Sequence, residues 1–367
     1  MSTRKRLRET PSTPRGTKKP QIVPSAVLEH APGHGNPQKR SPCRAARDFD
    51  RNRPCKERGR KESKMDKRQK RRAEYKSWKK GYYHLCTDGK KGTICHDEAE
   101  YVYLVNTISL LDLLFPVKVH FYEVMRSHVH LLLSGRGADC VAVFDYVKGR
   151  INKRLVADGH PPLPEDYDFK LIPVVDEDQM RNNGVYIARN ASEVMNIRPG
   201  GYMFGSSMAF YSDVPRLFET VWAGDLPVRM LRKMFQTHVS IPPDRLIHPG
   251  LGMVLPHSFV DMGVMYKVFP TAKEFETRLV KDYEAFVEIA DQIGEEISFS
   301  VEETKDIVKQ ELMIEGRKLS DLSNDDRCAL AVRLHKKYRL DAVTLSQAVF
   351  LPARIISQAL KSKKYKE

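Results

Sequence analysis

The run Met125-Arg126-Ser127-His128-Val129-His130-Leu131-Leu132-Leu133 constrains this chain more than any other segment. In a strand, residues i and i+2 share a face, so His128 and His130 stand side by side while Val129 and Leu131 turn toward a core. Two adjacent imidazoles can hold a divalent metal, and they can equally be packed core histidines. Just upstream, Val117, Val119, Phe121 and Glu123 alternate with Lys118, His120 and Tyr122, which reads as a strand. Arg126-Ser127 is then a short connection, and the His pair opens the second strand of a hairpin.

A second half of a site lies downstream. Asp176-Glu177-Asp178 is an acidic helix start, and in the helix that follows Tyr186 and Asn190, four apart, project from one face. A phenol and an amide oxygen are thereby presented together. His120 reads as a surface or satisfied core residue, His257 as part of a proline-glycine loop, and Ser206-Ser207 as a source of local backbone hydrogen bonds.

Three segments in order, "VMRSHVHLLLSG", "VYIARN" and "GYMFGSSMAFY", resemble the HUH single-tyrosine transposases, in particular the REP-associated tyrosine transposase (IS200-like) branch. The resemblance covers roughly Gly81 to Tyr211, with 56 residues from His130 to Tyr186. Two departures stand out. Arg126-Ser127 replaces the family's usual Pro-Asn, and Ala188 and Ala191 stand where it usually has His and Pro. These changes spare the proposed ligands and nucleophile and bear on substrate contacts. The resemblance implies that Tyr186 is the nucleophile, producing a 5′-phosphotyrosine and a free 3′-hydroxyl. It implies His128 and His130 as metal ligands, Asn190 as the third through its side-chain oxygen, and Mg or Mn as the divalent metal. The partner is then single-stranded or hairpin DNA, and relatives include both monomers and homodimers. The ligand atoms should converge about 2.0 to 2.6 Å from one ion. The Tyr186 hydroxyl should lie on the same side of the sheet, and the site should be a surface feature.

Charge is distributed unevenly along the chain. Residues 1–80 hold 26 Lys and Arg against 8 Asp and Glu, out of 62 and 47 in the whole, so the basic character belongs to the tail. That tail has 8 of the 22 prolines and almost no periodic apolar residues, too little to offset the entropy of ordering it. Residues 1–65 read as a disordered basic tail and 66–80 as a basic linker or helix. Such a tail binds polyanions without sequence preference, or serves solubility alone. Six cysteines lack Cys-x-x-Cys or zinc spacing and read as reduced thiols. The longest apolar run, Leu104 to Val117, is interrupted by Asn106, Thr107, Ser109 and Asp112, which argues against a membrane span. No Gly-x-x-x-x-Gly-Lys-Ser/Thr loop is present, so no nucleotide cofactor is expected. The expected location is cytoplasmic, associated with the nucleoid.

The organisation expected is α+β. Tyr82 to Thr87 reads as a strand, Glu98 to Leu114 as a helix, then the hairpin, a helix over Ala138 to Asp158, and a strand over Phe169 to Val175. This β-α-β-β-α-β order is that of a ferredoxin-like, split β-α-β antiparallel sheet with both helices on one face, leaving the other free for metal and DNA. The HUH-type domain would span 81–215, a helical region 216–320, and a helix-turn-helix-like module 321–367. Lys148, Arg150, Lys153 and Arg154 are candidates to line a nucleic-acid strand. Pro227 to Gln236 and Thr271 to Ile293 read as helices, the latter stopped by Gly294. In the last module, helices start at Ser323 and Thr344, and a third is opened by Pro352 with Arg354, Ser357, Gln358 and Lys361 on its face. A plain three-helix packing module fits the same spacing.

Two functions compete. One is a transposase, or a domesticated relative, that cleaves and rejoins single strands. The other is a DNA-binding regulator that keeps the sheet and the C-terminal module without catalysis. An RNA-binding sheet would carry paired aromatics, which are not found, and would leave the His pair unexplained.

Overall fold

The structure, a computed structural model, describes residues 58–195, 202–210 and 219–365. The expected disordered tail lies outside the described residues as far as residue 57. From there the chain is helical earlier than expected: α1, Arg58–Ser77, takes in part of the stretch assigned to the tail. It is held by more than its own propensity. Arg72 pairs with Asp145 at 2.5 Å and Arg71 with Asp168, while Tyr75 is buried against Phe169 and Trp78. A helix basic nearly all round is thus neutralised on the side that faces the sheet domain.

Strands β1 (Lys80–Thr87), β2 (Lys118–Val124), β3 (Val129–Arg136) and β4 (Phe169–Val174) form one sheet in the order β2-β3-β1-β4, every neighbouring pair antiparallel. Between them run α2 (Glu98–Ile108), a short α3 (Leu111–Leu114) and α4 (Gly137–Ala157). The single helix expected over 98–114 is broken at Ser109-Leu110, where the Ser109 hydroxyl donates to the carbonyl of Asn106. One face of the sheet, with Leu85, Val129, Leu131 and Leu171, packs on Val105, Ile108, Phe144, Val147 and Ile151 of α2 and α4.

The alternation expected in β2 does not persist. The register shifts between Val119 and Phe121, so a bulge at His120 turns Phe121 to the face opposite Val119. His120 is satisfied there, its Nε2 bonded to Ser134 Oγ at 2.8 Å and its Nδ1 to the Asp261 carbonyl at 3.1 Å.

The second sheet face is covered, not open. Cys86, Phe121, Leu132 and Val174 pack under α5 (Glu177–Met195), and a small sheet, β5 (Val221–Trp222), β6 (Leu246–His248) and β7 (Met253–Val254), adds to the core of the first face. The later helices are α6 (Val228–Phe235), α7 (Gly263–Val268), α8 (Ala272–Lys281), α9 (Tyr283–Ile293), α10 (Val301–Ile314), α11 (Asn324–Tyr338), α12 (Ala342–Val349) and α13 (Ala353–Lys361). The helix expected over 271–293 is thus divided at Asp282, and the helical region expected over 216–320 also holds α10. Phe286, Leu334, Leu345 and Ile356 continue the apolar cluster that begins on the sheet at Leu132, so the segments 216–320 and 321–367 share a core with α5.

Ser323 caps α11 with Asp326 in a reciprocal capping box, as the sequence indicates. α12 starts two residues before Thr344 because Asp341 caps it, and the chain turns by 118° between α12 and α13. Ser206 acts at longer range than expected: its backbone N–H donates to the Tyr122 carbonyl and its hydroxyl accepts from the Tyr122 N–H, both at 2.9 Å. The described cysteines Cys86, Cys95, Cys140 and Cys328 are free and buried, and no single helix among the described residues is long and apolar enough to cross a membrane.

Candidate active site

The two central strands and α5 bring four side chains to the covered face. His130 on β3 and His84 on β1 are fully buried there, and His128 sits one residue before β3. From α5, the Tyr186 ring meets His130 edge-on at 5.5 Å between centroids and stacks on Phe286 at 4.9 Å. Tyr186 therefore lies on the same side as the His pair. Its hydroxyl is not open to solvent, because α9 and the chain beyond it close over the site.

That closing chain supplies a residue that the sequence reading missed. Gly294 ends α9 in the left-handed conformation, φ +71°, with the Glu295 N–H donating to the Ala290 carbonyl and the Gly294 N–H to that of Asp291. This double closure turns the chain back on itself. Glu295 is thereby aimed into the site, where Oε2 accepts from the Tyr186 hydroxyl and Oε1 lies 3.6 Å from His128 Nε2 and 3.9 Å from His130 Nε2. Cys86 Sγ is 3.3 Å from the same oxygen. Lys170 on β4 holds the turn by donating to the Ile293 carbonyl. A side chain at position 294 would be strained by this φ and would displace the Lys170 ammonium, which a Cβ would meet at 2.6 Å. The sequence does carry the stop signal at Gly294, but not where the residue after it points.

The imidazoles are arranged as ligands are. His130 Nδ1 is 3.1 Å from His84 Nε2, and His128 Nδ1 is 2.9 Å from Ser127 Oγ, which orients each ring through its far nitrogen. The two Nε2 atoms are buried with no hydrogen-bond partner. A metal bonded at about 2.1 Å to neighbouring donors separates them by about 3 to 3.5 Å, close to the spacings from Glu295 to the two rings. The donors that all lie within 4.8 Å of one another here are Cys86, His130 and Glu295, with His128 reaching the same carboxylate from outside that group. Asn190, the expected third ligand, lines the same cavity, but its amide nitrogen donates to the Tyr186 carbonyl at 2.9 Å. The acidic group that meets both imidazoles is Glu295.

Burial lowers the pKa of His130 well below the ordinary value and that of His128 also, Glu295 opposing the shift in the latter; His84 falls to about 4, chiefly through burial. The rings are neutral at pH 7, as metal ligands must be. Burial, then Glu295, pushes the Tyr186 phenol above its usual range, so it is held protonated. Above pH about 6.5 these histidines are neutral both folded and unfolded; below it the unfolded chain takes up protons that the folded chain refuses. Unfolding free energy should be undiminished above pH 6.5 and fall as the pH drops toward 4, by up to about 1.4 kcal/mol per pH unit for each imidazole. Urea unfolding at pH 7 and pH 5 measures this. Equal stabilities would show that the rings are accessible to protons.

The site lines a cavity of about 380 Å³ whose walls include Arg71, Lys90 and Lys170 together with His128, Tyr186 and Glu295. The basic residues named from the sequence are elsewhere. α4 packs on the opposite sheet face, and its cations serve neighbouring loops. Lys148 donates to the Tyr167 carbonyl at 2.7 Å, and Arg150, buried, donates to those of Phe235 and Gln236 at 2.7 and 2.8 Å. Arg154 pairs with Asp158, and Lys153 is exposed. The carbonyls at the end of α6 need donors, which is why Arg150 turns inward. Arg354 and Gln358 are exposed on α13.

No family model matches this sequence, and no curated protein does. Among solved structures, a REP-associated tyrosine transposase bound to a REP hairpin is similar over 38% of this chain and 82% of its own, at 16% identity and a TM-score of 0.31. A likeness of that size carries no argument, and the functional reading rests on the site.

Proposed function

We propose that this chain is a divalent-metal-dependent, single-tyrosine DNA transposase or a domesticated relative, which cleaves and rejoins single-stranded or hairpin DNA through Tyr186. The observation that carries the reading is the meeting of Glu295 with Tyr186, His128 and His130, beside a cavity that His128, Tyr186 and Glu295 line. The β2-β3-β1-β4 order supports assignment of the sheet as ferredoxin-like. The 118° turn before α13, with Arg354 and Gln358 exposed, supports a helix-turn-helix.

His128 and His130, with Glu295 or Asn190, would hold the metal, and Mn suits two imidazoles and an oxygen better than Mg. When bound, the ion supplies charge neutralisation on the scissile phosphate. Arg71, Lys90 and Lys170 would meet the phosphates of a strand by exchanging their present partners, Asp168, Glu296 and the Ile293 carbonyl. Glu295 accepts the phenol proton as the Tyr186 oxygen bonds to phosphorus and the bond to the 3′-oxygen breaks. That proton is then available to the departing 3′-oxygen, and attack by the resulting 3′-hydroxyl rejoins the strand. Stacking on Phe286 fixes the ring while the oxygen reacts.

Incubating the full chain with hairpin-forming single strands and Mn should give a covalent protein-DNA adduct on denaturing gels. The burial of Tyr186 favours a second reading, a DNA-binding protein without cleavage. Tight binding with no adduct on any single strand would select it.

A further inference from the structure

We propose a second metal site, remote from Tyr186, formed by His96, Glu100 and His160 and suited to zinc. One ligand atom from each of the three lies within 4.8 Å of the others. The sequence reading singled out none of them.

Glu100 is the centre of the argument. It occupies the first turn of α2, which Asp97 caps by accepting from the Glu100 N–H at 2.9 Å. The Glu100 side chain is 1% exposed, and a buried carboxylate is costly unless a cation or several donors answer it. Oε2 accepts from the His96 backbone N–H and lies 3.0 Å from His96 Nδ1. Oε1 is buried, has no hydrogen-bond partner, and lies 3.7 Å from His160 Nε2. Among the described residues, no Lys or Arg is paired with it. Among the described residues, the cationic or metal-binding groups brought to this carboxylate are the two imidazoles. A divalent ion shared by the three would balance its charge.

The fold places His160 as deliberately as Glu295. Gly159 ends α4 in the left-handed conformation, φ +83°, with the His160 N–H donating to the Leu155 carbonyl at 2.8 Å. His160 is thereby turned back over the start of α2, and its ring stacks on that of His96 at 3.7 Å. The C-terminal end of α4, with its partial negative charge, adds to the attraction for a cation. Side-chain exposures of 32% and 35% for the two histidines leave the site reachable and leave coordination positions to water. Tetrahedral zinc with two nitrogens and one oxygen separates its donors by about 3.3 Å, and because the two rings stack face to face, one of these half-exposed imidazoles must turn out of the stack for both to bind the ion in plane.

The ion would tie the chain before α2 to the chain after α4. The neighbouring N–H groups of Ile94 and Cys95 donate to the Arg126 carbonyl at 2.8 and 3.1 Å, two residues before His128. The site therefore braces the connection that presents the His pair, a positioning role that does not depend on what Tyr186 does.

The test is zinc content of the full chain after dialysis, with affinity from competition against a chromophoric chelator. His160→Gln and His96→Gln, both at partly exposed positions, should each remove one zinc equivalent or weaken it at least about tenfold, as disrupted metal sites do. The same loss should appear in a His128→Ala background, which separates this site from the first one whether or not the first binds metal. Zinc should also raise the Tm of His128→Ala and not that of the His128→Ala/His160→Gln pair. Undiminished zinc in both glutamine variants would overturn the proposal. So would a His128→Ala protein that holds no zinc for the second substitution to remove.

Discussion

Tyr186→Phe is expected to abolish the covalent adduct while changing affinity for single-stranded DNA by less than about fivefold, the worth of one neutral hydrogen bond. The phenol oxygen makes the new bond to phosphorus, and nothing else in the cavity can replace it at that position. The ring itself stays, because Phe preserves the stack on Phe286 and the edge contact with His130. What the substitution leaves behind is Glu295 Oε2 without its donor, at a cost of about 1–3 kcal/mol in stability if the oxygen stays dry. Adduct formation and binding are to be measured on the same preparation. If both fall together, Tyr186 is a packing residue and the enzyme reading fails.

Glu295→Gln should lower single-turnover cleavage by about 10²- to 10⁴-fold, the range that a positioned base contributes. The amide keeps the size of the side chain but cannot take the phenol proton, and it is a poorer donor to a divalent ion. Affinity for Mn should fall with it, which titration on the uncleavable Tyr186→Phe background reports free of turnover. The opposite sign is informative. Faster cleavage by the variant would mean that the carboxylate occupies the place of the phosphate and holds the site shut, since it now bonds Tyr186 and faces both imidazoles.

Asn190 and Glu295 show how far a linear reading of the site extends. Asn190 is legible because helical spacing places it one turn from Tyr186 whatever the rest of the chain does. Glu295 is 109 residues from Tyr186, and its approach depends on α9 packing against α5 through Phe286 and on a turn in which only the glycine is visible beforehand. The basic residues of α4 fail for a related reason. Arg150 has an exposed-looking sequence neighbourhood, yet it is drawn inward by the carbonyls of Phe235 and Gln236, 85 and 86 residues away.

The local periodicities by themselves determined the elements of the sheet, the pairing of His128 with His130 on one side of a hairpin, the long helix after β3 and the capping of α11 at Ser323. Each of these is fixed by interactions within a few residues: alternation of side chains, i to i+4 spacing, and a cap that meets its own first turn. Tertiary structure alone decided that the second sheet face is covered, that β2 bulges at His120, that Tyr186 is buried, and that Glu295 and His160 are turned toward imidazoles distant in sequence. Those outcomes depend on which apolar faces find one another once the chain collapses, and burial has no direction along the sequence.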